Sequence, residues 1–182
     1  MAHVTGLGHV GIYVRDLDRM VAFYRDTLGM QITKQNLRAG IVFLSADPAA
    51  VDHEIALMRG RPENDNAHLI NQISLRVASL ADLRTFYYRL QDEGYRIDTV
   101  SNHGSAIGCY FFDPEGNRTE VFWVTGYACW VPNSDPVDLA QPDEVIQAEA
   151  RRVWERIGHV PVGGRIEHEA ATLRPSAEPV LS

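Results

Sequence analysis

Two short stretches of the chain alternate between apolar and other residues and are similar to each other. The first is His9–Val14 and the second is Gln72–Val77. Because neighbouring side chains point to opposite faces of a β-strand, each stretch predicts a strand with one apolar face. These apolar faces carry Val10, Ile12, Val14, Ile73, Leu75 and Val77. The opposite faces are expected to line a wetted or ligand-filled cavity, and they carry His9, Gly11, Tyr13, Gln72, Ser74 and Arg76.

A stripe of apolar residues at helical spacing follows each of these strands. The first helix is predicted behind Asp16 and the second behind Ser79, two side chains that cap helix N-termini well. Three β-like runs follow each helix, at 31–34, 41–45 and 53–59 and again at 95–101, 105–113 and 118–124. The repeat predicts an α+β fold of two tandem βαβββ modules, residues 1–62 and 63–125, whose mixed sheet forms a cup around a central cavity.

The rest of the chain belongs to neither module. Residues 126–158 are predicted to be an extension with one amphipathic helix, because Pro142 precedes an acidic first turn and an apolar stripe. This stripe needs a partner surface on the chain's own sheet or on a second subunit, so a homodimer is expected. Residues 159–182 show no periodicity and are predicted to be a flexible tail.

Composition excludes several functional classes. The chain has 182 residues and a formal net charge of −7, and it has no cluster of basic residues, which argues against nucleic acid as a partner. No apolar run approaches the roughly 18 residues of a membrane span, and no secretory signal is evident, so a cytoplasmic location is expected. Cys109 and Cys129 lack metal-type spacing and are predicted to be packing thiols.

Polar residues occupy equivalent positions in the two modules. His9 corresponds to Gln72 on the first strand, and His53 corresponds to Glu120 on the last. Each residue alone is typical of a hydrogen-bonded strand histidine or an edge carboxylate. Two such pairs together indicate a duplicated sheet that converges ligands on one ion. Their nitrogen and oxygen donors suit Fe(II), Mn(II), Co(II), Ni(II) or Zn(II).

Two longer motifs add a family likeness. The first is His9-Val-Gly-Ile-Tyr-Val-Arg-Asp-Leu with Phe23-Tyr-Arg-Asp-Thr-Leu-Gly behind it, and the second is Tyr110-Phe-Phe-Asp-Pro-Glu-Gly-Asn-Arg-Thr-Glu-Val. Over roughly residues 5–125 the chain resembles the vicinal oxygen chelate superfamily, which includes glyoxalase I, fosfomycin-resistance proteins and type I extradiol dioxygenases. Within it, the chain looks most like the single-domain extradiol ring-cleavage dioxygenases.

That resemblance implies an Fe(II) enzyme that cleaves a catechol with O2. It implies that His53, in the run Asp-His-Glu-Ile-Ala, is the acid and base, and that His103 and Tyr110 contact the catecholate. The ligands that it implies for the metal are His9, Gln72 and Glu120. Aromatic residues on the interior face favour an aryl-substituted catechol, and these are Tyr110, Phe112 and Phe122.

Gln72 stands where these dioxygenases have a second histidine ligand. Its amide oxygen can bind a metal without changing the charge of the site, but it is a weaker and harder donor than imidazole. We therefore expect reduced iron affinity and a shift towards Mn(II) or towards no metal. His68 is not expected to replace the missing ligand, because it lies about 13 Å away along an extended strand.

Two other functions stay open from the sequence. One is a metal-free protein that binds a small aromatic ligand, although the set of His53, His103 and Tyr110 argues against a mere binding pocket. The other is a glyoxalase-type lyase or isomerase, which would need a carboxylate where the chain has His53, with Glu54 expected to point away. Arg76 could meet a substrate carboxylate or form an ion pair with Glu120.

Overall fold

The computed structural model describes residues 6–64, 70–127, 129 and 132–157. Within this part of the chain the fold is α+β, as predicted, and the two βαβββ modules each form a sheet of their own. The fold divides into two compact units. The first is Met1–Leu69 together with Asp113–Asn117, and the second is Ile70–Phe112 together with Arg118–Ser182.

A four-stranded sheet in the order β1-β4-β3-β2 forms the first unit's framework. Its strands are β1 (Val10–Val14), β2 (Gln31–Asn36), β3 (Ile41–Ser45) and β4 (Ile55–Arg59). β1 pairs with β4 in parallel, and β3 is antiparallel to both of its neighbours. The predicted alternation in β1 is confirmed, because Ile12 and Val14 are buried whereas Tyr13 is 61% exposed.

The first helix changes its winding halfway along. Asp16 begins α1 (Leu17–Ala22), since its side chain accepts a hydrogen bond from the backbone N–H of Arg19 at 3.0 Å. The chain then continues as a π-helical turn over Phe23–Thr27, in which Leu28 N–H donates to the carbonyl of Phe23. The predicted helix is therefore present, with a wider second half than an α-helix has.

The second unit is built on a five-stranded sheet in the order β5-β8-β7-β6-β9. Its strands are β5 (Ile73–Val77), β6 (Ile97–Asn102), β7 (Ala106–Phe112), β8 (Arg118–Val124) and β9 (Asp135–Pro136). β5 pairs with β8 in parallel, which repeats the β1–β4 pairing. The short β9 is absent from the sequence prediction, because two residues that include a proline carry no alternation.

Two helices complete the second unit. Ser79 begins α2 (Leu80–Asp92), since its hydroxyl accepts from the N–H of Asp82 at 3.1 Å. The predicted C-terminal helix is confirmed as α3 (Asp143–Ile157), and it packs against β6. The buried residues of its stripe are Ile146, Ala150 and Val153.

Some of the predictions concern other parts of the chain. His68, Gly158 and the predicted tail at 159–182 lie outside the described residues. Cys109 and Cys129 are both free thiols, as predicted. Across the described ranges, no helix combines the length and the apolar character that crossing a membrane requires.

A buried carboxylate fixes the start of α1. Glu115, whose side chain is 6% exposed, lies in the turn Asp113–Asn117 that belongs to the first unit. Its Oε1 accepts from the backbone N–H of Arg15 at 2.6 Å and from that of Asp16 at 2.9 Å. Its Oε2 lies 3.6 Å from the guanidinium of Arg61. This one side chain accepts hydrogen bonds from the two backbone N–H groups immediately before α1.

Replacement of Glu115 by alanine is therefore expected to destabilise the fold. The variant leaves two N–H groups without their acceptor and the Arg61 charge without its partner, at a cost of about 2 kcal/mol. Urea denaturation measures the change in the free energy of unfolding. Glu63→Ala, at an exposed acidic residue of the same unit, is the control and should stay within about 0.5 kcal/mol of the parent. Equal stability of the two variants would contradict the role given to Glu115.

Candidate metal and catalytic site

Two of the three predicted metal ligands contact each other in the second unit. The β5–β8 register sets Ser74 directly opposite Glu120. Oε2 of Glu120 accepts from the hydroxyl of Ser74 at 2.5 Å and from Nε2 of Gln72 at 3.2 Å. Glu120 is only 5% exposed, so these bonds hold a buried carboxylate in one orientation.

A glycine makes room for the other oxygen of this carboxylate. Gly108 on β7 faces Glu120, and a Cβ built at Gly108 would lie 2.2 Å from Oε1 of Glu120. Every other residue type would therefore displace the carboxylate. The absence of a side chain at Gly108 forms a cradle for Glu120.

Arg118 fixes the amide of Gln72. One guanidinium nitrogen donates to Oε1 of Gln72 at 2.8 Å, and Nε donates to Asp98 at 2.8 Å. The guanidinium carbon also lies 4.0 Å from the ring centroid of Tyr110. Gln72 thus presents its oxygen to the Arg118 guanidinium and its nitrogen to the Glu120 carboxylate. These two bonds fix the orientation of the amide.

The side chains of His103 and Tyr110 form a hydrogen-bonded pair. Nε2 of His103 lies 3.0 Å from the hydroxyl of Tyr110, and Nδ1 lies 2.5 Å from the backbone carbonyl of Asn133. A carbonyl oxygen only accepts, so Nδ1 carries the proton. Nε2 of the neutral imidazole is then an acceptor for the Tyr110 hydroxyl, which also lies within hydrogen-bond range of the side chains of Glu120 and Gln72.

The surroundings of Tyr110 keep its phenol protonated. Burial raises the pKa of Tyr110 most, and the negative charge of Glu120 raises it further, to about 12. Burial and the Glu120 charge also raise the pKa of the Cys109 thiol to about 12, so this thiol is not a nucleophile at neutral pH. Tyr110 is therefore a hydrogen-bonding group and not an anion at neutral pH.

A carboxylate orients His53 in the first unit. Oδ2 of Asp52 lies 2.5 Å from Nδ1 of His53 and accepts from Nζ of Lys34, also at 2.5 Å. The bonds from Lys34 and then His53 hold the pKa of Asp52 below its ordinary value. Because the carboxylate accepts from Nδ1, the neutral imidazole of His53 keeps its lone pair on Nε2.

His53 is packed between two rings. The ring centroid of His9 lies 4.4 Å from that of His53, and Phe43 packs edge-on at 4.8 Å. The His53 side chain is 14% exposed, and its Nε2 is buried with no hydrogen-bond partner among the described residues. A buried nitrogen in this state requires an explanation, and a catalytic role or a bound ligand would supply one.

The predicted ligands divide between the two units. His9 belongs to the first unit, whereas Gln72 and Glu120 belong to the second. The described ranges contain no group of three or more His, Cys, Asp or Glu side chains able to hold a metal. The predicted set includes only two residues of those four types, since its third member is an amide.

The donor atoms nevertheless suit a divalent cation. The carbonyl oxygen of Gln72 accepts from Arg118 at 2.8 Å and from Asn71 at 3.2 Å, so a metal would have to take the place of one of these two donors. Glu120 is held through Oε2, and its Oε1 lies in the cradle at Gly108. The amide oxygen of Gln72 and the carboxylate of Glu120 are donor types that first-row transition metals accept.

Several residues that hold this site are not among the metal ligands and catalytic residues predicted from the sequence. In the second unit these are Ser74, Asn133 and the guanidinium of Arg118, and in the first they are Lys34 and Asp52. Ser74 and Arg118 each lie two residues from a predicted ligand on the same strand face, and this spacing was the signal that could have found them. Asn133 comes from a distant segment and gave no signal.

Comparison with known proteins shows the family to which the chain belongs. The model of the Glyoxalase/Bleomycin resistance protein/Dioxygenase superfamily matches residues 6–121. Biphenyl-2,3-diol 1,2-dioxygenase 3 of Rhodococcus globerulus is 28% identical over 120 residues, which are 63% of this chain and 61% of that protein. Metapyrocatechase of Geobacillus stearothermophilus is 30% identical over 143 residues, 74% of this chain and 42% of that protein. The chain thus spans less than two thirds of the length of either relative.

A solved structure shares the fold. Lactoylglutathione lyase from Agrobacterium tumefaciens superposes with a TM-score of 0.52 at 20% identity, over 66% of this chain and 94% of that one. The likeness at this identity extends to the fold alone.

Replacement of Glu120 by glutamine is expected to lower the pKa of Tyr110 from about 12 towards its ordinary value of 10.0, because the carboxylate charge disappears while burial remains. In the parent, the stability that the protonated phenol contributes is complete below pH 10.0 and is lost as the pH rises towards about 12. Carbon-13 NMR of labelled tyrosine measures the titration, with Tyr110→Phe to assign the signal. Glu155→Gln on α3 is the control and leaves the pKa unchanged. An identical titration in Glu120→Gln would show that Glu120 has no influence on Tyr110.

Proposed function

Because this chain belongs to the Glyoxalase/Bleomycin resistance protein/Dioxygenase superfamily, we propose that it is a metal-dependent dioxygenase that opens the ring of a catechol with O2. The observation that carries the proposal is the state of His53. Its Nδ1 is bound to Asp52, and its buried Nε2 has no partner in the described part of the chain. The names of the two curated relatives, a biphenyl-diol dioxygenase and a metapyrocatechase, support the same chemistry.

His9, Gln72 and Glu120 would hold the metal in this proposal. A divalent ion bound there would lower the pKa of the catechol hydroxyls and carry electrons from the ring to O2. We take Fe(II) as the metal, with Mn(II) as the alternative that the amide donor favours. The cytoplasmic location and the homodimer remain predictions from the sequence.

His53 would move the proton. The bond to Asp52 fixes the tautomer with hydrogen on Nδ1, so Nε2 accepts a proton from a catechol hydroxyl and returns it to the opened product. The Asp52 carboxylate holds the ring in one orientation through Nδ1 while Nε2 exchanges the proton. Burial of Nε2 keeps bulk water from competing for the same lone pair.

His103 and Tyr110 would orient the ring. The carbonyl of Asn133 fixes His103, which in turn accepts from the hydroxyl of Tyr110. The Tyr110 oxygen would accept from the remaining catechol hydroxyl in place of its present hydrogen bond from Gln72. Its raised pKa keeps the phenol neutral, so it does not repel an anionic catecholate.

The neighbour of His53 argues against a lyase. A glyoxalase-type reaction needs a carboxylate base near the metal in the first module, where Glu54 is the adjacent candidate. Oε2 of Glu54 instead accepts from the backbone N–H of Ala46 at 2.9 Å, and it is the His53 ring that packs on His9. This arrangement favours imidazole as the proton carrier over a carboxylate.

Anaerobic calorimetry of the protein with Fe(II), and in parallel with Mn(II), tests the ligand set. We expect micromolar or tighter binding in the parent, none in Glu120→Ala, and binding about tenfold tighter in Gln72→His, because imidazole is a better donor to iron than an amide oxygen. Glu155→Gln is the folded control. Absence of saturable binding in both the parent and Gln72→His would overturn the metal-dependent proposal.

Oxygen uptake with catechol and the Fe(II)-loaded protein tests the role of His53. His53→Gln is expected to keep its metal affinity and to lower kcat about 100-fold, since it removes general acid and base catalysis. Asp52→Asn should give a smaller loss, because the imidazole remains. Unchanged turnover in His53→Gln would remove His53 from the mechanism, whatever the metal affinity of the variant.

A further inference from the structure

Arg76 lies on the same face of the second sheet as the predicted ligands. Along β5 the side chains alternate, and Ile73 is buried on the face that α2 covers. Gln72 and Ser74 occupy the opposite face, where both bind Glu120. Arg76 is the next residue of that face and is exposed.

The strand register gives its distance from the site. Ser74 lies opposite Glu120, and Arg76 lies opposite Phe122. Arg76 is therefore two residues beyond Ser74, about 7 Å along the strand. That spacing is comparable to the width of one aromatic ring with its substituents, and the ring of Phe122 borders it on β8.

The charge of Arg76 has no compensating partner among the described residues. Glu120 is bound by Ser74 and Gln72, and Arg118 is bound to Asp98 and Gln72. Arg76 makes no hydrogen bond, ion pair or ring contact with any residue in the described ranges. The ion pair with Glu120, which would explain an arginine here on structural grounds alone, is not formed. A cation on this face is thus left for an external anion.

We propose that Arg76 binds a carboxylate carried by the catechol, so that the substrate class is a dihydroxylated aromatic acid. The inference rests on the proposed function and deepens it. A guanidinium matches a carboxylate with two parallel hydrogen bonds, and Phe122 offers an apolar surface to the ring between the two polar ends. Because Arg76 is exposed, the carboxylate stays partly hydrated, and the gain in affinity is modest.

Binding of a matched pair of ligands tests the proposal without catalysis. The probes are 3,4-dihydroxybenzoate and its uncharged amide, 3,4-dihydroxybenzamide, titrated calorimetrically without O2 into the full chain, both with and without Fe(II). We expect the acid to bind the parent roughly fivefold more tightly than the amide. Arg76→Gln should abolish this preference and leave affinity for the amide unchanged, and Arg76→Lys should restore part of it. Arg151→Gln, at an exposed arginine of α3 paired with Glu155, is the control and keeps the preference.

The outcomes separate this proposal from the proposed function. Equal binding of acid and amide to the parent, no binding of either, or a preference that persists in Arg76→Gln would overturn the role of Arg76. Ring cleavage without preference for the acid would also overturn the role of Arg76, but it would leave the proposed dioxygenase activity intact. A preference that depends on Arg76, found in a protein that does not cleave the ring, would support the carboxylate site and reject the dioxygenase. Loss of the preference in 0.5 M salt, about the concentration at which charges several ångströms apart are screened, would further support the charge pairing.

Discussion

Parallel pairing of the first and last strand of each module is the constraint on which the candidate site depends. β5 and β8 are separated by almost the whole length of their module, and only their pairing sets Gln72 and Ser74 against Glu120. A parallel pair cannot be joined by a tight turn, so the helix and two strands between them form the necessary connection. The β1–β4 pairing repeats the arrangement and sets His9 beside His53.

Most of the fold could be predicted from the sequence, because its elements are encoded in local patterns. Alternation predicted β1 and β5, β-like runs predicted the strands behind each helix, and the caps Asp16 and Ser79 predicted where two helices begin. The π-helical turn at Phe23–Thr27 and the strand at Asp135–Pro136 could not be predicted in this way. The strand depends on the free edge of β6, and neither element alters the pattern of apolar residues along the chain.

The candidate site, like the fold, could be predicted only in part from the sequence. The internal repeat indicated which positions are equivalent, but it could not indicate what fixes their side chains. Each of the two oriented imidazoles has its Nδ1 bound to an oxygen, from Asp52 for His53 and from the backbone of Asn133 for His103. The first acceptor is a sequence neighbour whose orientation only the structure gives, and the second comes from beyond the repeat. In both histidines the bond at Nδ1 fixes the tautomer and leaves Nε2 as the acceptor, although the two oxygen partners come from unrelated parts of the chain.

The turn Asp113–Asn117 bears on how a duplicated chain evolves. It connects two strands of the second module, yet Glu115 at its tip supplies the acceptor for backbone groups just before α1 of the first. Two identical copies of a repeat could each fold alone or exchange places. Once one module provides a side chain that the other needs for its fold, the two modules are no longer interchangeable. A contact of this kind means that a mutation in one module can impair the other, so selection acts on the two modules together.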